Sequence, residues 1–198
     1  MTEMELREEI RRYEPFNEQE REDKEEILRQ MEQADHILTR DNRNAHITVS
    51  AWIMDKDRKK VLMAYHNLYQ SWAWLGGHAD GDADLKAVAL KEIREESGLE
   101  SVRFVTEDIF SLEILTVDGH EKRGSYVPSH LHLNVTYLLE ADLELPLRIK
   151  EDENSEIGWI GVEEIERRST EKWFVERIYS KLCKKAQSLR NGKLAILE

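Results

Sequence analysis

The spacing of apolar positions changes twice along the chain, and the changes divide it into elements. Over residues 18–39, "EQEREDKEEILRQMEQADHILT", Ile27, Met31, Ala34 and Leu38 recur at helical spacing, with Leu28 and Ile37 beside them. This pattern predicts an amphipathic helix packed on its own domain, with a dimerisation or lid element as the alternative. From His46 the period is that of strands. "HITVSAWIM" and "KVLMAYH" are rich in β-branched and aromatic residues and flank a turn-like "DKDRK". Residues 71–75 predict a short strand before a Gly-Gly turn, and residues 84–97 predict a helix. "VRFVTEDIFSLEILTVD", "HLHLNVTYLLEA" and "IGWIGV" are further strand candidates. A charged helical turn from Glu163 and a final helix over about 170–189 complete the order. "GHEKRGSYVPS" reads as a polar loop, with Asp118 and His120 near any site and Lys122 and Arg123 as solvated charges. Helix, strands, helix, strands, helix predicts an α/β fold, a mixed sheet with helices on both faces. Residues 1–44 read as a helical extension and 45–198 as the main domain.

Composition adjusts this picture little. With 198 residues, 40% hydrophobic and 35% charged, the chain can bury one sizeable core. It holds no apolar run of membrane-spanning length, and its first sixteen residues lack the apolar core of a secretory signal. The single cysteine, Cys183, lies in the last predicted helix and is read as helix packing. A cytoplasmic protein without membrane partners is expected. The net charge of −12 argues against broad nucleic-acid binding. That charge is uneven: residues 1–45 carry a net of −6 and residues 170–198 a net of +4. The two ends could therefore attract each other, within one chain or in a homodimer.

The chemistry concentrates in "GGHADGDADLKAVALKEIREESGL". Asp82 or Asp84 can cap the helix start and Gly98 can end it. Leu85, Val88, Glu92, Glu96 and Leu99 are spaced as one stripe, which begins apolar and then presents carboxylates. Glu95 flanks it. A solvated acidic face would leave Glu92 and Glu96 as a repelling i,i+4 pair and would not account for Leu85 and Val88. Lys91 alone cannot neutralise three carboxylates. Oxygen-only ligands in this density point to a hard divalent cation, Mg²⁺ or Mn²⁺.

Residues 77–99 resemble the Nudix box: Gly, five residues, Glu, seven residues, Arg-Glu-apolar-x-Glu-Glu-x-Gly-apolar. Gly77, Glu92, Ile93, Glu95, Glu96, Gly98 and Leu99 match in register; Ala83 replaces the first Glu and Lys91 replaces the Arg. The element order from about 46 to 190 is also similar to the family's α/β/α sandwich. The resemblance implies metal-dependent hydrolysis of a nucleoside diphosphate linked to another group, by water attack on phosphorus. It implies Glu92 and Glu96 as metal ligands, Glu95 as a third ligand or base, and the Gly76 carbonyl as an additional ligand. Ala83 cannot accept a hydrogen bond and Lys91 lacks the planar fork of Arg, so carboxylate orientation is expected to weaken unless Asp82 or Asp84 substitutes. The alternative is a nucleotide-binding or regulatory module of the same fold with little turnover. An isopentenyl diphosphate isomerase would need a cysteine before the box, and Cys183 lies far after it.

Beyond the box, His130, His132, Asn134 and Thr136 alternate onto one face of a strand, a pocket wall or a wet sheet surface. His132 and Asn134 are the pocket candidates. The two histidines could ligate metal, but no cysteine or third histidine follows at a zinc-like spacing. Among His66, Tyr69, Trp72 and Trp74, just before the box, one aromatic could stack on a base. Glu153, in "EDENSEIGW", is the candidate for a late acid brought to the metal site.

Overall fold

All ten residues of the strand Ala45–Met54 (β1) are buried, and the sheet is built around it. The computed structural model describes residues 1–122 and 124–190, with only the backbone at Lys122 and Arg190; Arg123 and residues 191–198 lie outside the described residues. β1 runs parallel to His130–Glu140 (β9), an unbroken ladder from Ala45↔Leu131 to Met54↔Glu140. On its other edge β1 meets two strands in turn. Lys60–His66 (β2) joins it at Met54↔Val61, and Leu75–His78 (β4) pairs with residues 48–51. Ser71–Ala73 (β3) pairs with β2 instead, so the segment expected as one strand serves two partners. Asn154–Gly161 (β10) lies outside β2.

β9 carries Arg103–Phe104 (β5) and Ser111–Val117 (β6) along its far edge. The stretch read as one long strand is thus interrupted between them. His120–Lys122 (β7) and Ser125–Val127 (β8), expected as a polar loop, pair as a small separate ribbon turning at Gly124, whose φ of 76° suits glycine.

Parity along β1 and β9 sets the layers. Ile47, Val49, Ala51 and Ile53, with Leu133, Val135, Tyr137 and Leu139, share a core with the N-terminal helices and the box helix. Those helices are Glu3–Arg12 (α1), Glu18–Gln33 (α2) and Leu85–Ser97 (α3). On the opposite face Trp52, Met54 and Leu138 pack against Ile165–Arg168 (α4), Ser180–Arg190 (α5) and the π-helical turns Phe174–Tyr179 that lead into α5. The expected mixed sheet between helices is observed. α2 ends earlier than its periodicity suggests, yet Ile37 remains fully buried in the following turn. Its apolar stripe is spent inside its own chain, since Ile27 and Met31 join the core. α1 lacks an obvious stripe because only Leu6 and Ile10 are buried among charges; a Thr2–Glu5 capping box fixes its start. Among the described residues no helix is long and apolar enough to cross a membrane.

The second face is apolar only toward one end. Nearer the other end β1 offers His46, Thr48 and Ser50, in register with His132, Asn134 and Thr136 of β9. This polar half of the face opens into a cleft.

Candidate functional site

α3 supplies the cleft's acidic wall. Asp84 caps it by accepting the Ala87 N–H at 3.2 Å, and Gly98 ends it in the left-handed conformation. Leu85, Val88 and Leu99 enter the core, and the same stripe carries Glu96, only 7% exposed, and Glu92, whose side chain is 13% exposed. Both carboxylates line a cleft of about 430 Å³, a volume suited to a nucleotide-sized ligand. Glu95 stands at its rim, half-exposed.

The box glycines are needed for contact. A Cβ on Gly77 would lie 2.5 Å from the Glu92 carboxyl carbon, and one on Gly76 would strike the Val49 carbonyl oxygen. Without side chains there, β4 stays paired to β1 while Glu92 rests against its backbone. The Gly76 N–H points toward a Glu96 carboxylate oxygen at 3.4 Å.

The electrostatics follow from this crowding. Burial, then the neighbouring Glu92 and Glu153 carboxylates, push the Glu96 carboxyl up to about 8. Burial and Glu95 raise Glu92 as well. The donor set is oxygen only and short of cations, which is the environment a hard divalent ion relieves.

Glu153 does reach the cleft, 3.0 Å from the Lys150 ammonium, which also lies 3.9 Å from Glu95. Lys150 was not legible from the sequence: it precedes β10 in a charged stretch with no periodicity. Arg40 was also missed. It enters the cleft wall from the turn after α2, gripping Asp80 with two N–H groups. Lys91, by contrast, stands exposed, 3.8 Å from both Glu92 and Glu95.

His66, Trp74, His132 and Asn134 all line the cleft. Trp74 is wedged edge-on against Trp52 and Tyr179, so one aromatic serves core and cleft together. The His66 ring lies against Tyr69 and accepts the Leu68 N–H at 3.2 Å. The face holding His132 and Asn134 is not a wet sheet surface. Asn134 is 1% exposed and accepts hydroxyl hydrogens from Thr48 and Ser50, each at 3.0 Å. Asp118 and His120 do not line the cleft. Asp82 accepts the Asp84 N–H and Asp84 is the helix cap, neither of them lining the cleft, and Ala83 is buried in the core. Cys183 packs beside α5's core, where burial pushes its thiol up to about 12.

Residues 44–182 match the family model of the NUDIX domain. Among solved structures, the chain is similar to a binary complex of C. elegans Ap4A hydrolase, at 18% identity and TM-score 0.52, over 74% of this chain and 98% of that one. It is also similar to the E. coli dihydroneopterin triphosphate pyrophosphohydrolase, at 13% identity and TM-score 0.52, over 70% and 95%. At these identities the likeness is one of fold. No curated protein matches the chain.

Proposed function

The chain belongs to the NUDIX family, and from that premise we propose that it is a metal-dependent pyrophosphohydrolase. Its substrate would be a nucleoside diphosphate linked to another group, cleaved by water attack on phosphorus. The observation that carries this reading is the pair Glu92 and Glu96, held by an otherwise core-facing helix stripe inside a cleft. Glu92, Glu95, Glu96 and the Gly76 carbonyl would hold Mg²⁺ or Mn²⁺, which when bound neutralises phosphate charge and acidifies a coordinated water.

The protein's own groups then have distinct tasks. Lys150 and Arg40 are cations of the cleft wall and would orient the diphosphate oxygens. Glu95 or Glu153, both less buried than Glu96, would accept the proton of the attacking water. Trp74 and His66 offer ring surface to a base and His132 a polar edge to the substrate, while Asn134, fully hydrogen-bonded to Thr48, Ser50, Glu113 and Thr136, braces the wall behind them.

A hydrolysis screen with Mg²⁺ or Mn²⁺ over nucleotide sugars, dinucleoside polyphosphates, ADP-ribose, NADH, coenzyme A and nucleoside triphosphates tests this. At least one should turn over, and Glu96→Gln should lower that rate by about 10²-fold or more. Buried Ala83 and exposed Lys91 favour a second reading, a nucleotide-binding module with little turnover. Tight Mg²⁺-dependent nucleotide binding without hydrolysis of any substrate would establish that second reading and end the first.

A further inference from the structure

The parallel pairing of β1 with β9 gathers histidines that sequence spacing keeps apart. His46 is the second residue of β1 and sits directly beside His132; His130 opens β9, two residues earlier on the same face. The three ring centroids stand 5.0–5.1 Å from one another. One nitrogen from each ring can be chosen so that all lie within 4.8 Å of one another. The third histidine that zinc-like spacing within one segment does not supply arrives here from a neighbouring strand.

The protonation pattern is set by what each ring touches. His46 Nδ1 lies 3.0 Å from the Asn42 carbonyl oxygen, which can only accept, so that nitrogen carries the proton. Its Nε2 is then a bare lone pair, and it is buried without a hydrogen-bond partner. His130 repeats the device: Nδ1 faces the Pro128 carbonyl oxygen at 2.9 Å, leaving Nε2 as a lone pair. That lone pair is 3.2 Å from His132 Nε2, which must donate to it. A backbone carbonyl that fixes the tautomer and aims the other nitrogen is the usual support of a metal-ligating histidine. An orphaned buried acceptor among such rings is otherwise a cost with no compensation.

We infer that His46, His130 and His132 form a metal site for one borderline divalent ion of the Zn²⁺ class, with a ligand set separate from the cleft glutamates. Three neutral imidazoles suit Zn²⁺, and Mg²⁺ or Mn²⁺ prefer oxygen, so the two sites select different ions. The nearby Arg40 guanidinium is already paired with Asp80 and adds little net repulsion. Tetrahedral Zn–N bonds near 2.1 Å set ligand nitrogens about 3.4 Å apart. The His130–His132 pair already has this spacing, and His46 closes on it by a side-chain movement. His132 then changes tautomer, its proton passing from Nε2 to Nδ1. His130 and His132 are only partly buried, which gives the ion an entry path, and the His78 ring stands 5.1 Å from His46 and 4.9 Å from His132. His132 lines the cleft as well, which places the site at the cleft's border.

The test uses the untagged chain incubated with ZnCl₂ in millimolar MgCl₂, desalted, and analysed for metal per chain. One Zn²⁺ per chain is expected. His130→Ala and His46→Gln should each weaken Zn²⁺ affinity at least tenfold in a competition with a chromophoric chelator. Glu96→Gln should leave Zn²⁺ affinity unchanged, which separates this site from the proposed catalytic one. Co²⁺ titration of the unaltered chain gives a reading independent of any variant's folding: intense visible absorption of four-coordinate Co²⁺ is expected. The inference is overturned by the absence of retained Zn²⁺, by Zn²⁺ that survives both histidine substitutions in folded protein, or by Zn²⁺ lost only with Glu96→Gln.

Discussion

Glu20 of α2 and Lys185 of α5 meet at 2.9 Å inside the protein, although 165 residues separate them. Glu20 is fully buried and Lys185 is 9% exposed. Lys181 completes the group, 3.1 Å from Glu20 and 2.9 Å from the fully buried Glu113. Two ammonium groups thus balance two carboxylates. Tyr13 donates its hydroxyl to Glu20, and Lys185 in turn donates to the Tyr13 oxygen at 2.6 Å. From Glu113 the network continues to Thr136 and Asn134, and through Asn134 to Thr48 and Ser50 at the cleft. The acidic N-terminal and basic C-terminal segments attract within one chain, and their meeting point supports the cleft floor.

Breaking one member of this network should be costly. Glu20→Gln leaves two buried ammonium groups facing one carboxylate, with an expected loss of about 3–5 kcal/mol. For a chain of this size that lowers Tm by roughly 10 °C. Replacing the pair together, Glu20→Leu with Lys185→Met, should restore much of the loss, because neither charge is left unpaired. Urea denaturation of the single and double variants measures both. Additive losses would show that the two residues do not act as a pair.

Acid should act through the same carboxylate. Burial works against ionised Glu20, but Lys181 and Lys185 outweigh it and hold its carboxyl down at about 2. Its folded pKa is below the unfolded value of 4.5, so the stabilisation is complete above about pH 4.5 and is lost as pH falls toward 2. The unaltered chain should show a steep acid limb in Tm over that range. In Glu20→Gln the limb should be shallower, and an identical limb in both would place the acid sensitivity elsewhere.

The box and the alternation of β9 were legible because each rests on local spacing. Glu92 and Glu96 share a helix face by arithmetic, and His132 and Asn134 share a strand face by parity. The groups that were missed depend on pairing. Lys150 reaches Glu153 three residues on and Glu95 from another element. Arg40 meets the cleft only because the turn after α2 packs beside β4, where Gly81 N–H donates to the Leu38 carbonyl. No pattern in one segment signals that His46 will lie beside His132. The register of a parallel pair, with one strand before the box and the other after it, decides that contact.

The two departures from the box should separate on mutation. Ala83 is 5% exposed and packed in the core, so Ala83→Glu alone buries an unpaired carboxylate and should cost about 3–5 kcal/mol. Lys91→Arg changes an exposed side chain, should leave stability within about 0.5 kcal/mol, and should raise kcat by holding Glu92 or Glu95 with two bonds. In the double variant the introduced guanidinium could pair with the introduced carboxylate. A double-mutant cycle on Tm and kcat should then show a favourable coupling. Strict additivity would mean the two positions do not communicate in this chain.

Glu96 provides the sharpest link between stability and the proposed metal. Its folded carboxyl titrates at about 8, against 4.5 when unfolded. Below pH 4.5 both states hold the proton, and between 4.5 and 8 only the folded state does. Metal-free stability should therefore fall as pH rises across that window, by at most about 1.4 kcal/mol per pH unit. Glu96→Gln removes the titration, so the metal-free variant should be more stable than the unaltered chain at about pH 8 and similar to it near pH 4.5. Mg²⁺ or Mn²⁺ needs the ionised carboxylate, so added metal should raise the Tm of the unaltered chain more at about pH 8 than at about pH 6. In Glu96→Gln that gain should largely vanish. Thermal melts of both proteins at the two pH values, with EDTA or with millimolar metal, read all of these quantities. A variant that keeps the full metal shift would remove Glu96 from the ligand set, even if the alkaline destabilisation of the metal-free chain is observed.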